Sequence, residues 1–301
     1  MSRGFSEDSF LHSLFPQLKT TSDVLVGPGD DCAVIDAGDK CLVIGVDQVI
    51  EGRHYLPETP AELIGRKLVA RNLSDLAAMG AKPRFMLLSS TSSKAKDEAW
   101  LRKFHQGVLS LGKEFGVCLI GGDLATTENE SVASLTIIGE TEQNSYICRS
   151  GAKSGDYLFA TGSYGNSFDS QHHLNFTPRV EEGVWLNEFG VSAMIDVTDG
   201  LLKDSHKLSL SSGLSLVLYE EAILLREGAD LSSAFCDGED YELIFAVPED
   251  CTSDLLSSWK FDIPLTKIGK FESLMKGKYP ASISGENLFE KYGRGFDHFH
   301  E

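Results

Sequence analysis

Apolar, β-branched runs in this chain end repeatedly in glycine and aspartate. "VGPGDDCAVI" (26–35) sets Asp30 and Asp31 between a Gly-Pro-Gly turn and an apolar run. "VIGVDQVIEGRH" carries Asp47, followed by Glu51 and His54, and "LIGGDLATT" carries Asp123. "AMIDVTDGL" supplies Asp196 and Asp199, and "CDGEDYELIF" places Glu239 and Asp240 just ahead of a strand. A carboxylate buried alone is costly, so a set of them at strand ends needs cations or hydrogen-bond donors. Glycine near most of these acids allows positive φ and close backbone approach, as a loop around phosphate and metal requires. On a strand Asp30 and Asp31 would point to opposite faces. Asp30 is expected at a shared cation site, with Asp31 turned away to support the loop or the domain contact.

With 301 residues, the chain has room for two domains, each with its own core. Its 45 acids against 27 Lys and Arg argue against nucleic acid as a partner, since phosphate backbones demand clustered bases. The excess acid has two readings: a soluble, self-repelling surface, or carboxylates that belong with bound cations. Six scattered cysteines form no C-x-x-C pair, which fits a reducing compartment. No run approaches the ~18–20 apolar residues of a membrane helix, and no signal-peptide core stands at the start. The expectation is a cytoplasmic protein with no membrane partner.

Along the chain, Phe10, Leu11, Leu14 and Phe15 form a short amphipathic pattern stopped by Pro16, and 41–50 reads as a buried strand. Apolar residues from Leu63 to Leu76 recur at helical spacing, and Thr59-Pro60 with Glu62 predicts a capping box. Strand 85–90, helix 97–115 closed by Gly116, and the strands "VCLIGGD" and "SLTIIGE" follow. "RSGAKSGD" (149–156) reads as a connection, which divides the chain into 1–148 and 149–301. Beyond it come strand "YLFATG", a helix near 180–190, strand "AMIDVTDG", helix 200–211, strands "LSLVLY" and "YELIFAV", and helix 249–260. The order predicts two α/β halves with mixed sheets. His172 and His173, in a polar stretch, are expected to face solvent.

In "NLSDLAAMGA", Asn72 and Asp75 lie three apart on one helical face, within a mostly apolar surrounding. The candidate ligands are hard oxygens, with no sulfur or imidazole cluster to attract zinc or copper. Mg²⁺ ions sharing a phosphate chain would employ many aspartates at once, as in phosphoryl transfer or a related ATP-dependent step. Neither G-x-x-x-x-G-K-[ST] nor G-x-G-x-x-G is present. An ATP enzyme of this sequence must hold its phosphates through metals.

"GPGDDCAV", "VDQVIEGRHY", "ARNLSDLAAMGAKP", "LIGGD", "RSGAKSGD", "MIDVTDGL", "GEDYELIF" and "GRGFDHF" stand in the order found in thiamine-monophosphate kinases, which this chain resembles from about residue 27 onward. That family shares a superfamily with aminoimidazole ribonucleotide synthetase and selenophosphate synthetase. The resemblance implies a two-domain architecture like that of aminoimidazole ribonucleotide synthetase, whose N-terminal domain pairs sheets across a homodimer. It implies ATP-dependent phosphorylation of thiamine monophosphate to thiamine diphosphate, with several Mg²⁺ ions. Carried over by position, Asp30, Asp47, Asp75, Asp123, Asp196 and Asp199 match magnesium ligands. Gly122, Asp123, Arg149 and Thr198 match nucleotide contacts, and His54, Glu239 and Phe296 match the thiamine site. No residue is nominated as general base.

The sequence departs from the family at several places. Gly45 and Val46 stand where one or two hydroxyl residues usually precede the second-motif aspartate. "GGDLATT" is altered, Asp237 replaces a glycine, and the loop 163–178 is shortened. Two other readings remain: another ATP-dependent synthetase of the superfamily, or a catalytically silent nucleotide-binding paralogue. The first twenty residues lack the cysteine typical of selenophosphate synthetases.

Overall fold

The computed structural model describes residues 7–274 and 279–296. Two six-stranded mixed sheets organise it. The first contains β1 (Val24–Val26), β2 (Ala33–Asp36), β3 (Lys40–Ile50), β4 (Lys82–Ser93), β5 (Cys118–Thr127) and β6 (Val132–Glu142), in the order β1-β2-β3-β6-β4-β5. The second contains β7 (Tyr157–Thr161), β8 (Ala193–Asp196), β9 (Leu214–Leu218), β10 (Leu243–Val247), β11 (Leu265–Ser273) and β12 (Ala281–Ser282), in the order β12-β9-β11-β7-β10-β8. Pairing is antiparallel except for β4 with β5 and β9 with β12. The fold is mixed α/β, as the element order predicts, and the segment 143–156 joins the two sheets.

The helices are α1 (Glu7–Leu14), α2 (Ala61–Ala78), α3 (Glu98–Glu114), α4 (His172–Asn175), α5 (Val180–Phe189), α6 (Leu201–Ser211), α7 (Leu231–Cys236), α8 (Thr252–Ser258) and α9 (Leu288–Tyr292). Helix α2 is the spine. Leu68, Val69, Leu73, Leu76 and Ala77 are buried on it, and its neighbours include α3, α5, β3, β6 and β8, from both sides of the 148/149 division. One apolar cluster accordingly contains Leu68 and Leu73 together with Met194, Phe245 and Leu255. A helix covered on both flanks is expected to bury most of its positions, and the polar ones here are gathered toward one side.

The expected capping box does not form. The helix starts at Ala61 behind Pro60, and Thr59 Oγ1 instead accepts the Leu56 N–H at 3.1 Å. Proline pre-sets the entry angle, so the hydroxyl is free to close the preceding turn. The expected helix 249–260 is a 3₁₀ turn, Glu249–Cys251, followed by α8, and it ends before Trp259 turns extended. Strands β11 and β12 and helices α7 and α9 were not expected from the sequence pattern. Residues 297–299 of the C-terminal "GRGFDHF" motif lie outside the described residues.

Helices α2 and α3 cross at two glycines. A Cβ on Gly107 would stand 2.0 Å from the Glu62 carbonyl oxygen, and one on Gly65 2.1 Å from that of Phe104. Backbone cannot yield as a flexible side chain does, so the overpacking cost of about 1–3 kcal/mol sits at the upper end of that range. It outweighs the ~1 kcal/mol by which alanine favours a helix over glycine. Gly107→Ala is therefore expected to lower the urea midpoint at unchanged m-value. An equal or raised midpoint would mean that the crossing is looser than drawn here.

Candidate active site

A cleft of about 850 Å³ opens between the two halves, within the range of small-ligand sites. Its floor is a stripe of α2. Arg71 and Asp75, four residues apart, line it from one face of the helix, and Lys67, one turn earlier on that face, is fully buried. The loop before β2 supplies Asp30 and Asp31, the end of β3 Asp47 and His54, and the β8–α6 turn Thr198 and Asp199. Arg149, Glu239 and Phe296 complete the wall, and α1 with Phe15 borders one side.

Oxygens of Asp31, Asp75 and Asp196 lie within 4.8 Å of one another. Asp196 ends β8 and accepts a hydrogen bond from Ser74 Oγ at 2.5 Å. Asp31 Oδ2 is buried with no hydrogen-bond partner. Burial first, and the charges of Asp196 and Asp47 next, push the Asp75 carboxyl well above the usual range. Burial and then Asp31 raise Asp196 to about 8, and burial with Asp31 raises Asp30 to about 6. Like charges packed without solvent disfavour ionisation, and a hard divalent cation reverses that. The unpartnered Asp31 oxygen and the all-oxygen donor set fit Mg²⁺.

The expected roles within the first pair hold only in part: Asp31 does support the connection between the halves, through Arg149, but it also belongs to the acid cluster. Asp31 does not turn away; it joins Asp75 and Asp196. Residues 31 and 32 form a bend and not a strand, so the alternation of faces does not apply. Asp30 also lines the cleft, and both its oxygens accept the Arg149 backbone N–H at 3.1 Å. The Arg149 guanidinium reaches Asp31 Oδ1 at 2.6 Å.

Two expected metal ligands carry cations of the chain's own. Arg71 Nε donates to Asp47 Oδ2 at 2.5 Å, and Asp199 meets Lys207 at 2.7 Å and Lys203 at 2.9 Å. Burial alone would raise the Asp199 carboxyl, and the two ammoniums overcome it and hold the group low. Asp123 and Gly122 do not reach the cleft of this chain. They sit exposed on β5, the edge strand, where a Cβ on Gly122 would strike the Leu88 carbonyl at 1.8 Å.

On the far side of the cleft, His54 is buried and its Nδ1 accepts the Ile50 N–H at 3.0 Å. Lys67 Nζ, itself buried, donates to the His54 carbonyl and to Glu239 Oε2, each at 2.6 Å. Phe296 is half-exposed, anchored by its N–H to the Asp199 carbonyl at 3.0 Å. His172 and His173 are not solvent-facing. His173 is buried against Phe168, and His172 Nε2 lies 2.8 Å from the Asp240 carbonyl. Their loop folds inward over Tyr241, which Phe176 covers at 4.0 Å between ring centres.

Lys67, Arg71 and the buried Asp204, which accepts the Thr198 and Asp199 N–H groups at 2.9 and 2.8 Å, were not expected from the sequence, whereas Asp31 was expected in a supporting role only. The i, i+4, i+8 spacing of Lys67 and Arg71 ahead of Asp75 was the available signal. Nothing local marks Asp204.

Residues 29–141 match the family model of the AIR synthase related protein, N-terminal domain, which defines the class of this fold and site. The thiamine-monophosphate kinase of Haemophilus influenzae is 34% identical, with 95% of each chain covered. Among solved structures, AaThiL complexed with AMPPCP and TMP superposes with a TM-score of 0.85 at 24% identity, covering 98% of this chain and 97% of that one. The thiamine-monophosphate kinase from Stenotrophomonas maltophilia K279a gives 0.75 at 27% identity, covering 95% and 98%. The chain belongs to the thiamine-monophosphate kinase family. Among the described residues, no helix is long and apolar enough to cross a membrane.

The acid cluster sets a pH dependence. Between the usual 3.8 and about 8, folded Asp196 keeps a proton that the unfolded chain releases. The folded state then binds more protons, so stability falls as pH rises through that window. Asp30 adds to the fall up to about 6. In chelator, the urea midpoint is expected to drop from pH 5 to pH 8, and Asp196→Asn to flatten the drop. A midpoint that climbs over that interval would contradict the buried cluster.

Proposed function

We propose that the cleft transfers the γ-phosphoryl group of ATP to thiamine monophosphate, giving thiamine diphosphate, with Mg²⁺ held by Asp31, Asp75 and Asp196 and with Asp30 beside them. The observation that carries this reading is the convergence of three carboxylates, one oxygen unpartnered, of which Asp31 and Asp75 line the cleft with Arg149 and Lys207 and Asp196 is buried behind them. Two phosphate groups brought together repel strongly outside bulk water. Bound magnesium would supply the charge neutralisation between them.

The chain's own groups do the remaining work. Arg149, at the cleft wall, presents a guanidinium suited to phosphate, and Thr198 borders the same region. Lys203 and Lys207 add positive charge beside the β8–α6 turn, which Asp204 holds in shape. Glu239 offers a carboxylate to a cationic thiazolium or an aminopyrimidine, and Phe296 a face for stacking. The acceptor phosphate has a second pKa of about 6, so it is already ionised near neutral pH and needs no base. Positioning and charge then account for the rate.

Turnover is tested by forming thiamine diphosphate from ATP, thiamine monophosphate and Mg²⁺. Asp75→Asn is expected to cost at least about a hundredfold in kcat, the scale of a disrupted metal site. In the same variant, the metal-free fold is expected to be as stable as the wild type or more so, because a crowded charge is gone. Near-normal turnover would remove the metal role. ATP binding without product in the wild type would favour the silent paralogue, whose support is Gly45-Val46 ahead of Asp47.

We read the partner as a second copy, paired through β5. This ten-residue edge strand leaves Ile120 and Leu124 each 56% exposed, and an uncovered apolar edge invites pairing. Light scattering is expected to give twice the chain mass, falling to one chain mass when Ile120 and Leu124 are both changed to Lys. A monomeric wild type would end this reading.

A further inference from the structure

Asp47 carries its counter-charge with it. Arg71 precedes Asp75 by one helical turn, and while its Nε holds Asp47 Oδ2 at 2.5 Å, its Nη1 donates to the Gln48 carbonyl at 2.8 Å. The Asp47 backbone N–H is fixed as well, donating to Asn72 Oδ1 at 3.1 Å. Both clamps come from adjacent positions of α2, so the pair is built into the most buried helix of the fold. The Arg71 side chain is 11% exposed and still lines the cleft.

The surroundings of Asp47 offer little to a divalent ion. Mg²⁺ demands near-octahedral oxygen coordination. The resemblance to the kinases implies hydroxyl residues at positions 45 and 46, where this chain has glycine and valine. A Cβ on Gly45 would come within 2.8 Å of Cys32 Sγ, so the room a serine would use is already filled, and by sulfur. Val46 is exposed and apolar. Asp47 is also absent from the close carboxylate group of Asp31, Asp75 and Asp196. A guanidinium asks only for planar acceptors, a carboxylate and a carbonyl, and finds both here.

We propose that Arg71 is the resident cation of Asp47, standing in for one divalent ion between that aspartate and a bound polyphosphate. This rests on the reading of the cleft as a phosphoryl-transfer site. The acids then divide: Asp31, Asp75 and Asp196 keep an opening for ions, and Asp47 does not. The charge that Arg71 supplies is present at every free magnesium concentration, because a guanidinium neither dissociates from the chain nor loses its proton.

The test counts ions without turnover. Bound Mn²⁺ is measured by electron paramagnetic resonance at saturating AMPPCP in the wild type, Asp47→Asn and Arg71→Met. Asp47→Asn is expected to hold as many ions as the wild type, and a loss of one ion per chain would overturn the proposal. Arg71→Met leaves Asp47 facing phosphate uncompensated. It is expected to bind AMPPCP at least tenfold more weakly at limiting Mn²⁺, and to recover, with one extra ion bound, as Mn²⁺ rises. A wild-type Mn²⁺ dependence in that variant would also overturn the proposal. Should Arg71→Met fail to fold, the count in the near-isosteric Asp47→Asn decides alone. A chain that binds Mn²⁺ and AMPPCP but makes no thiamine diphosphate would refute the activity and leave Arg71 standing. An active chain that loses an ion with Asp47→Asn would do the reverse.

Discussion

Mutual repulsion among Asp31, Asp75 and Asp196, confined where the two halves meet, is the constraint around which the rest is arranged. Left to itself, such a cluster opposes folding. The structure holds it by surrounding strength: β8, though the edge strand of its sheet, is wholly buried, and the apolar packing of α2 reaches into both sheets. Ser74 and Arg149 each satisfy one carboxylate oxygen, which fixes orientation without discharging the group as a whole. What remains unsatisfied is the capacity to bind a cation. Sites of this kind commonly hold local cost against the stability of their scaffold.

Helix α2 makes the arrangement possible because one element serves two purposes. Its apolar positions fill the core between the halves, while Arg71 and Asp75 face the cleft and Lys67 is buried on the same side. The close crossing with α3, enforced by Gly65 and Gly107, limits how far the helix can shift. Lys67 ties the His54 carbonyl, from the first half, to Glu239, from the second. A buried ion pair of this kind adds little net stability but fails expensively if one partner is removed, so it specifies geometry more than it strengthens the fold.

Charge in the cleft is sorted and not merely accumulated. Asp47 and Asp199 are matched to arginine and lysine from neighbouring turns, whereas the three clustered acids have no equal share of cations. Arg149 adds a guanidinium at one edge of that cluster, on Asp31. A polyphosphate entering such a cleft meets fixed positive side chains and oxygen ligands together, which spreads neutralisation over several partners.

Much of this was legible in the chain. The apolar runs give β3, β6, β7, β8 and β10, the period from Leu63 to Leu76 gives α2, and Asp75 is read correctly as facing inward. These follow from side-chain periodicity and backbone preference, which are local properties. The ends of elements were less so: Thr59 closes a turn and caps no helix because Pro60 already sets the entry. The pairing of acids with cations lay beyond reach. Asp31 and Asp196 are 165 positions apart in sequence, and whether a carboxylate meets another acid or a guanidinium depends on which loops the two sheets bring together. Residue types, strand ends and the presence of glycine near most of the acids are determined by sequence. Which oxygen is buried, and which already has a partner, was decided by tertiary packing, because charge interactions act through space and depend on the solvent that folding excludes.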